Sequence, residues 1–248
     1  MAEFIHLKIK RQAGPAKPSY WEEFQVQYKD NMNVVSVLMG IRKNPVNKEG
    51  KKTLPVVWEC NCLEEVCGAC SMIINGKPMQ ACSALIDTLK QPITLQPLTK
   101  FPIIRDLMVD RKSILDGFRQ VKAWVEIDGS FNIGPGPRLE ETERRKAYQL
   151  SLCMSCGCCL EACPNVNAKS AFIGPAALNQ ARLFNDAPLG RMTKGKRLEA
   201  IMVKGGLADC GNAQNCEKVC PKKVPLTGSI AKLNRESVLY SIDQWLTK

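Results

Sequence analysis

The sequence predicts an α+β protein that is β-rich in its N-terminal part and helix-rich in its C-terminal part. Residues 4–11 alternate between apolar and polar side chains, which is typical of a half-buried strand. Residues 227–246 instead place apolar side chains at helical spacing. Thirteen cysteines lie in short runs among the 248 residues, which indicates metal ligands in a reducing compartment rather than disulfides.

The N-terminal part begins with two strands and a helix. The strand at 4–11 and a second strand at 20–28 can form a hairpin, because glycine and proline mark a turn between them. Asn33 is a favoured N-cap residue, and the helix that follows it is predicted to end near Asn44–Pro45. The predicted buried face of this helix consists of Val34, Val37, Leu38 and Ile41.

The first cysteine motif follows this helix. Cys62, Cys67 and Cys70 have the spacing C-x4-C-x2-C, and Cys82 follows at a distance, which is the plant-type [2Fe–2S] pattern. Three thiolates on one short loop require tight backbone turns, and Gly68 permits one of them. Backbone N–H groups that face inward can then hydrogen-bond the sulfur atoms and tune the reduction potential.

A hairpin and a last strand complete this part of the chain. Asn75–Gly76 predicts a tight turn between strands at 71–74 and 79–82, and residues 93–98 form a further strand. Together these elements predict a β-grasp, plant-type [2Fe–2S] ferredoxin domain over residues 1–110.

Two features of the cysteine loop leave alternatives open. Cys60 could compete as a ligand, but the four-ligand spacing is complete without it, which favours a free thiol. Glu64 and Glu65 either lower the cluster potential through their negative charge or act as solvated carboxylates with little effect.

Residues 111–248 are predicted to form an all-helical domain. The Gly-Pro-Gly-Pro segment at 134–137 predicts a rigid turn, because it lacks the spacing of a phosphate-binding loop. Helices are predicted at 113–121, 140–152, 176–184, 196–203 and 227–246. The last helix carries a predicted apolar stripe of Ile230, Leu233, Leu239, Ile242 and Leu246.

Two cysteine runs in this domain have the pattern of a two-cluster bacterial ferredoxin. The first run, C-M-S-C-G-C-C-L-E-A-C-P, places Cys153, Cys156 and Cys159 at the spacing that holds three corners of a cubane. In such ferredoxins the cysteine before the proline crosses to the other cluster, so Cys220 is predicted to complete a [4Fe–4S] site. Cys158 falls outside this triplet and is interpreted as a packed free thiol.

The second run, C-G-N-A-Q-N-C-E-K-V-C-P, lacks one ligand. By the same crossing rule Cys163 joins Cys210 and Cys216, and Ala213 occupies the position of the missing cysteine. Three thiolates hold three irons, so the sequence predicts a [3Fe–4S] cluster here. The alternative is a fourth iron that is held by water or by another side chain.

Other metal sites fit the chain less well. His6 is the only histidine and is predicted to be exposed, and a Rieske site needs two histidines. The net charge of +11 suggests a zinc-bound nucleic-acid protein as an alternative, but zinc would need an all-cysteine ligand set. The basic residues are scattered, which favours docking to partners and to an anionic membrane surface over nucleic acid.

The chain resembles the iron–sulfur subunits of succinate dehydrogenase and fumarate reductase over essentially its whole length. The resemblance is carried by C-L-E-E-V-C-G-A-C, I-N-G-K-P-M-Q-A-C, P-I-I-R-D-L-M-V-D and the two runs that end in C-P. It implies that the chain passes single electrons from a FAD-bearing flavoprotein subunit to a quinone-reducing membrane anchor. Fumarate reduction remains open as the physiological direction. A subunit of another quinone-linked enzyme is a weaker alternative, because those usually lack the plant-type domain.

Two details resemble the menaquinone-linked enzymes of Gram-positive bacteria, whose anchor is a dihaem cytochrome b. The first C-P is followed by N-V-N-A-K rather than by tryptophans, and Gly211 stands where ubiquinone-linked members carry a histidine. Pro164, Asn165 and Gly211 are therefore only weak candidates for a quinone-proximal site. The resemblance implies a peripheral subunit on the cytoplasmic face of the membrane, and the sequence has no run of 18 apolar residues that would predict a membrane span.

Overall fold

The computed structural model describes residues 4–126 and 138–247, so the predicted turn at 134–137 lies outside the described residues. The described residues divide into two compact units. One comprises those up to Arg111 together with Met154–Glu161, and the other comprises those of Lys112–Cys153 and Ala162–Lys248. Three cysteines of the first C-P run therefore belong to the same unit as the N-terminal sheet.

A five-stranded sheet forms the centre of the first unit. Its strands are β1 Phe4–Arg11, β2 Tyr20–Gln27, β3 Ser71–Ile74, β4 Lys77–Gln80 and β5 Ile93–Gln96. They lie in the order β2-β1-β5-β3-β4, with β1 parallel to β5 and the other neighbours antiparallel. A separate two-stranded sheet follows, made of β6 Ile103–Arg105 and β7 Met108–Val109. The predicted ferredoxin-like sheet is confirmed, and His6 is exposed as expected.

The first helix, α1, spans Val34–Lys43 and covers this sheet with its apolar face. The predicted N-cap is confirmed: Asn33 Oδ1 accepts the Ser36 N–H at 2.9 Å, and Ser36 Oγ accepts the Asn33 N–H at 2.9 Å. The Asn33 side-chain amide also donates to the carbonyl of Cys82 at 2.9 Å. The cap thus fixes both the helix and the position of a predicted ligand.

The hairpin differs from its prediction at the second strand. β4 begins at Lys77 and ends at Gln80, two residues earlier than expected at both ends. Asn75 and Gly76 have φ values of 47° and 80°, the conformation of a two-residue hairpin turn, so pairing resumes directly after Gly76. Cys82 consequently lies beyond the strand, in a turn that faces the cysteine loop.

Helices dominate the chain after Arg111. They are α2 Lys112–Gln120, α3 Glu141–Ser151, α4 Cys158–Ala162, α5 Pro175–Asp186, α6 Lys194–Ile201, α7 Asn215–Lys218 and α8 Leu226–Leu246. The core of the second unit lies among α5, α6 and the first half of α8, with Leu178, Leu198 and Leu233 almost fully buried. The predicted helices of this part are confirmed, with ends displaced by one to two residues.

The apolar stripe predicted for α8 is buried only in its first half. Ile230 and Leu233 are buried, but Leu239, Ile242 and Leu246 are 54%, 49% and 70% exposed. Helical spacing marks a face that can be buried, and whether it is buried depends on what packs there. No helix of the described residues is both long and apolar enough to cross a membrane.

Candidate iron–sulfur centres

The loop that carries the first three cysteines directs its backbone N–H groups at sulfur. Cys62 Sγ accepts the N–H groups of Glu64, Val66 and Cys67 at 3.4, 3.3 and 3.3 Å. These hydrogen bonds lower the pKa of the Cys62 thiol to about 7, because they stabilise the thiolate. A loop that stabilises a thiolate in this way is suited to hold an iron–sulfur cluster.

Left-handed backbone conformations allow this loop to turn so tightly. Leu63 and Glu65 have φ values of 62° and 56°, and Gly68 has a φ of 73°. Leucine and glutamate rarely adopt this conformation, so the tertiary fold must hold them in it. The predicted turn at Gly68 is present, and it has a second cause that the sequence does not reveal. A Cβ atom at Gly68 would lie 2.8 Å from the Cβ of Cys156, so no larger residue fits.

Cys70 and Cys82 form the buried side of the same site. They are 3% and 6% exposed, and their side chains interact with each other. Burial raises the pKa of the Cys70 thiol to about 12, so a thiolate at this position requires a bound positive charge such as iron. The structure thus pairs Cys70 with Cys82 on the buried side and Cys62 with Cys67 nearer the solvent.

Arg111, which lies outside the cysteine motif, forms hydrogen bonds to the cysteine loop. Its guanidinium donates to the carbonyls of Gly68 and Ala69 at 3.1 and 2.5 Å, and it pairs with Glu59 at 3.3 Å. Its positive charge also helps to lower the pKa of the Cys156 thiol. Sequence reasoning missed this residue because its partners lie more than 40 positions away, at a separation of 42 and 43 residues.

The predicted [4Fe–4S] ligands and the neighbouring Cys158 fall in two units of the chain. Cys156, Cys158 and Cys159 belong to the first unit, whereas Cys153 and Cys220 belong to the second. Ser155 and Gly157 have φ values of 54° and 87°, which gives this run the same kind of tight turns as the first loop. In the second unit the Val224 N–H donates to Cys220 Sγ at 3.4 Å.

Cys158 is fully buried, and its environment supports the interpretation as a neutral thiol. A hydrogen bond with Cys156 and burial both raise the pKa of Cys158. The same hydrogen bond is the main cause that lowers the pKa of Cys156 to about 7, so Cys158 keeps its proton and donates it toward Cys156. Cys60 is half-buried and packs against the core of the sheet, and its interpretation as a free thiol stays a prediction.

The three remaining predicted ligands line one small cavity in the second unit. Cys163, Cys210 and Cys216 line it, and so do Ala213 and Gln214. Asn212 and Gln214 have left-handed φ values of 50° and 59°, so the chain turns tightly between Cys210 and Cys216. Burial raises the pKa of the Cys216 thiol to about 11, and the sulfurs of Cys163 and Cys210 add to this effect. Three thiols that line one cavity fit a cluster with three iron ligands.

The weak quinone-proximal candidates lie at the same cavity. Pro164, Asn165 and Gly211 all line it. The Asn165 amide donates to the carbonyl of Asp209 at 2.8 Å, and a Cβ at Gly211 would lie 2.9 Å from Asn165 Oδ1. Both residues therefore have a structural role in packing the loop before Cys216.

Among the described residues, no three His, Cys, Asp or Glu side chains lie close enough together to share one metal ion. A single zinc would need four donor atoms at about 2.0–2.3 Å from one point. The thiolates of an iron–sulfur cluster bind different irons and need not converge in that way.

The family models match both halves of the chain. A 2Fe-2S iron-sulfur cluster binding domain covers residues 6–116, and a 4Fe-4S dicluster domain covers residues 149–224. The succinate dehydrogenase iron-sulfur subunit of Bacillus subtilis (strain 168) is 60% identical over 95% of this chain and 93% of its own length. The chain belongs to the iron–sulfur subunit family of succinate dehydrogenase and fumarate reductase.

Two further comparisons have lower sequence identity. The fumarate reductase iron-sulfur subunit of Wolinella succinogenes is 31% identical over 93% of this chain and 95% of its own length. A chain of the Mycobacterium smegmatis Sdh1 complex in the apo form superposes with a TM-score of 0.80 over 96% of both chains, and at 20% identity it shows the fold alone. The chain is thus a subunit of an oxidoreductase complex, and it transfers electrons through [2Fe–2S] and [4Fe–4S] centres.

Proposed function

We propose that this subunit conducts electrons through three clusters with separate ligand sets. The [2Fe–2S] cluster is held by Cys62, Cys67, Cys70 and Cys82. The [4Fe–4S] cluster is held by Cys153, Cys156, Cys159 and Cys220, and the [3Fe–4S] cluster by Cys163, Cys210 and Cys216. The cysteine spacing supports all three sets, and the boundary between the two ferredoxin domains lies near residue 110.

The observation that carries this proposal is the cavity that Cys163, Cys210, Cys216 and Ala213 line together. A cubane needs a fourth ligand at that point, and alanine has no atom that binds iron. The cluster there therefore lacks one corner, which distinguishes it from the [4Fe–4S] centre.

The partners follow from the family. Electrons enter from a FAD-bearing flavoprotein subunit at the [2Fe–2S] end and leave from the [3Fe–4S] end to a membrane-anchored cytochrome b that carries haem b. Menaquinone is reduced on the anchor, at the cytoplasmic face of the cell membrane. The identity of 60% to a succinate dehydrogenase subunit, against 31% to a fumarate reductase subunit, favours succinate oxidation as the physiological direction.

Co-purification tests this assembly. A tagged chain extracted in detergent is expected to bring down a flavin-containing subunit and a haem-containing membrane subunit, and the complex should reduce a menaquinone analogue with succinate. A complex without flavin or without haem would contradict the proposal, and so would one that reduces fumarate readily but does not oxidise succinate.

A further inference from the structure

Gln80 is a buried side-chain amide that touches the sulfur atoms of two different cysteine motifs. It is the last residue of β4 and is 0% exposed. Its amide group lies 3.5 Å from Cys70 Sγ and 3.6 Å from Cys158 Sγ, and it donates to Ser71 Oγ at 2.8 Å. A buried amide needs partners for both its oxygen and its nitrogen, so this placement constrains where the protons lie.

When Cys70 is a thiol, every hydrogen bond around Gln80 in the structure has one donor and one acceptor. The S–H of Cys70 then donates to Gln80 Oε1, and Gln80 Nε2 donates to Ser71 Oγ. The Ser71 hydroxyl is free to donate to the carbonyl of Gly68, at 2.7 Å. Each polar group in this set has a partner.

Iron binding removes one of these protons. An iron-bound Cys70 is a thiolate, which can accept a hydrogen bond but cannot donate one. The carbonyl oxygen of Gln80 would then face a negatively charged sulfur at 3.5 Å without a proton between them. The last torsion of glutamine is two-fold and soft, so the amide can rotate and exchange the positions of its oxygen and nitrogen.

The rotated amide forms hydrogen bonds with the same neighbouring groups, but its donor and its acceptor have exchanged places. Its nitrogen donates to Cys70, and its oxygen accepts from the Ser71 hydroxyl, while the Cys158 thiol keeps its hydrogen bond to Cys156. Ser71 then no longer donates to the carbonyl of Gly68, but that carbonyl keeps the Arg111 guanidinium as a donor at 3.1 Å. No buried group is left unpaired, so the rotation costs little.

We propose that Gln80 donates an N–H···S hydrogen bond to the iron-bound Cys70 and thereby raises the reduction potential of the [2Fe–2S] cluster. Reduction adds negative charge to the cluster, and a donor to sulfur stabilises that charge. This inference rests on the proposed [2Fe–2S] ligand set.

A redox titration of the intact membrane complex, followed by EPR of the reduced [2Fe–2S] cluster, tests the proposal. Gln80→Leu is expected to lower the midpoint potential by roughly the 59 mV that corresponds to a tenfold change in a one-electron equilibrium. Gln96→Leu is the matched control, since Gln96 is a partly buried residue of β5 whose side chain forms no hydrogen bond to sulfur within the described part of the chain, and the potential of this variant should equal that of the wild type. An unchanged potential in Gln80→Leu, with the cluster signal intact, would overturn the inference.

A second measurement needs no substitution. When glutamine is labelled with ¹⁵N only in its side-chain amide, pulsed EPR of the reduced wild-type complex should detect one coupled ¹⁵N nucleus. The absence of that coupling would also overturn the inference. A wild-type complex that shows no reduced [2Fe–2S] signal would instead contradict the proposed function itself, so the two failures are distinguishable.

Discussion

The cysteine loop at 62–70 and the cavity lined by Cys163, Cys210 and Cys216 differ in how they affect the thiolate form of cysteine, which is the form that binds iron. In the loop, three backbone N–H groups at 3.3–3.4 Å stabilise a thiolate on Cys62 and bring its pKa to about 7. In the cavity, burial destabilises a free thiolate and raises the pKa of Cys216 to about 11. Backbone donors thus stabilise the thiolate of Cys62, whereas a thiolate at Cys216, like one at the buried Cys70 of the first site, depends on a bound positive charge.

This difference determines which residues matter at each site. The loop depends on backbone conformations that Gly68 and the left-handed Leu63 and Glu65 supply, so its sensitive positions include residues that bind nothing. On the proposed ligand set, the cavity depends on the identity of its side chains, and the residue at position 213 decides how many irons are held there. Substitutions at the two sites should therefore impair cluster binding for different physical reasons.

The largest effect is expected from removing a ligand at the loop. Cys62→Ser should lose or strongly perturb the [2Fe–2S] cluster alone, and electron transfer from succinate to quinone should be abolished, because the path is broken at its first centre. EPR of the reduced complex and quinone reduction by succinate measure the two effects. Cys60→Ser is the matched control, and all three clusters should remain in it; the loss of a cluster there would show that Cys60 is a ligand.

The next effect is expected at the cavity. Ala213→Cys adds the missing thiolate to the lining of the cavity and should convert the proposed three-iron cluster towards a cubane, so the EPR signal of the oxidised complex should lose most of its intensity. Ala213→Ser is the control, because a hydroxyl is a poor iron ligand in this setting, and its signal should stay. A full three-iron signal in the cysteine variant would show that position 213 does not face the vacant corner.

A smaller effect is expected at the turn of the loop. Gly68→Ala should destabilise the complex by more than the roughly 1–2 kcal/mol that a left-handed alanine costs, because its Cβ would also press against Cys156 at 2.8 Å. Gly50→Ala separates the two causes, since Gly50 has a φ of 79° and no atom within 4 Å of the added Cβ. Thermal unfolding of both variants tests this. Equal losses of stability would show that the close contact with Cys156 does not contribute.

The smallest effect is expected at the helix cap that fixes Cys82. Asn33→Ala removes the cap of α1 and the hydrogen bond to the Cys82 carbonyl, and it should cost about 1 kcal/mol in unfolding free energy. It should also shift the [2Fe–2S] EPR signal slightly, because Cys82 is less firmly held. Asn47→Ala removes a side chain that caps only a local turn, and its EPR signal should match the wild type.

The elements that could be predicted from the sequence are those that depend on residues close together in the chain. The alternation in β1, the cap at Asn33 and the cysteine spacings each depend on residues that are close in the chain, and the sheet and helices agree with them. The start of β4 was misplaced because the two-residue turn at Asn75–Gly76 lets pairing begin at once.

Long-range contacts could not be predicted in the same way. Gln80 and Cys158 are 78 residues apart, and no local pattern marks either as a partner of the other. The exposed half of α8 shows the same limit, since its spacing is helical and amphipathic whether or not another surface covers it.

The central claim is that the cavity around Ala213 holds a three-iron cluster, and EPR of the oxidised wild-type complex tests it most directly. A [3Fe–4S] cluster has an odd number of electrons when oxidised, so the isolated complex with full iron content should show its signal without added reductant. The absence of that signal in an undamaged complex with full iron content would contradict the account.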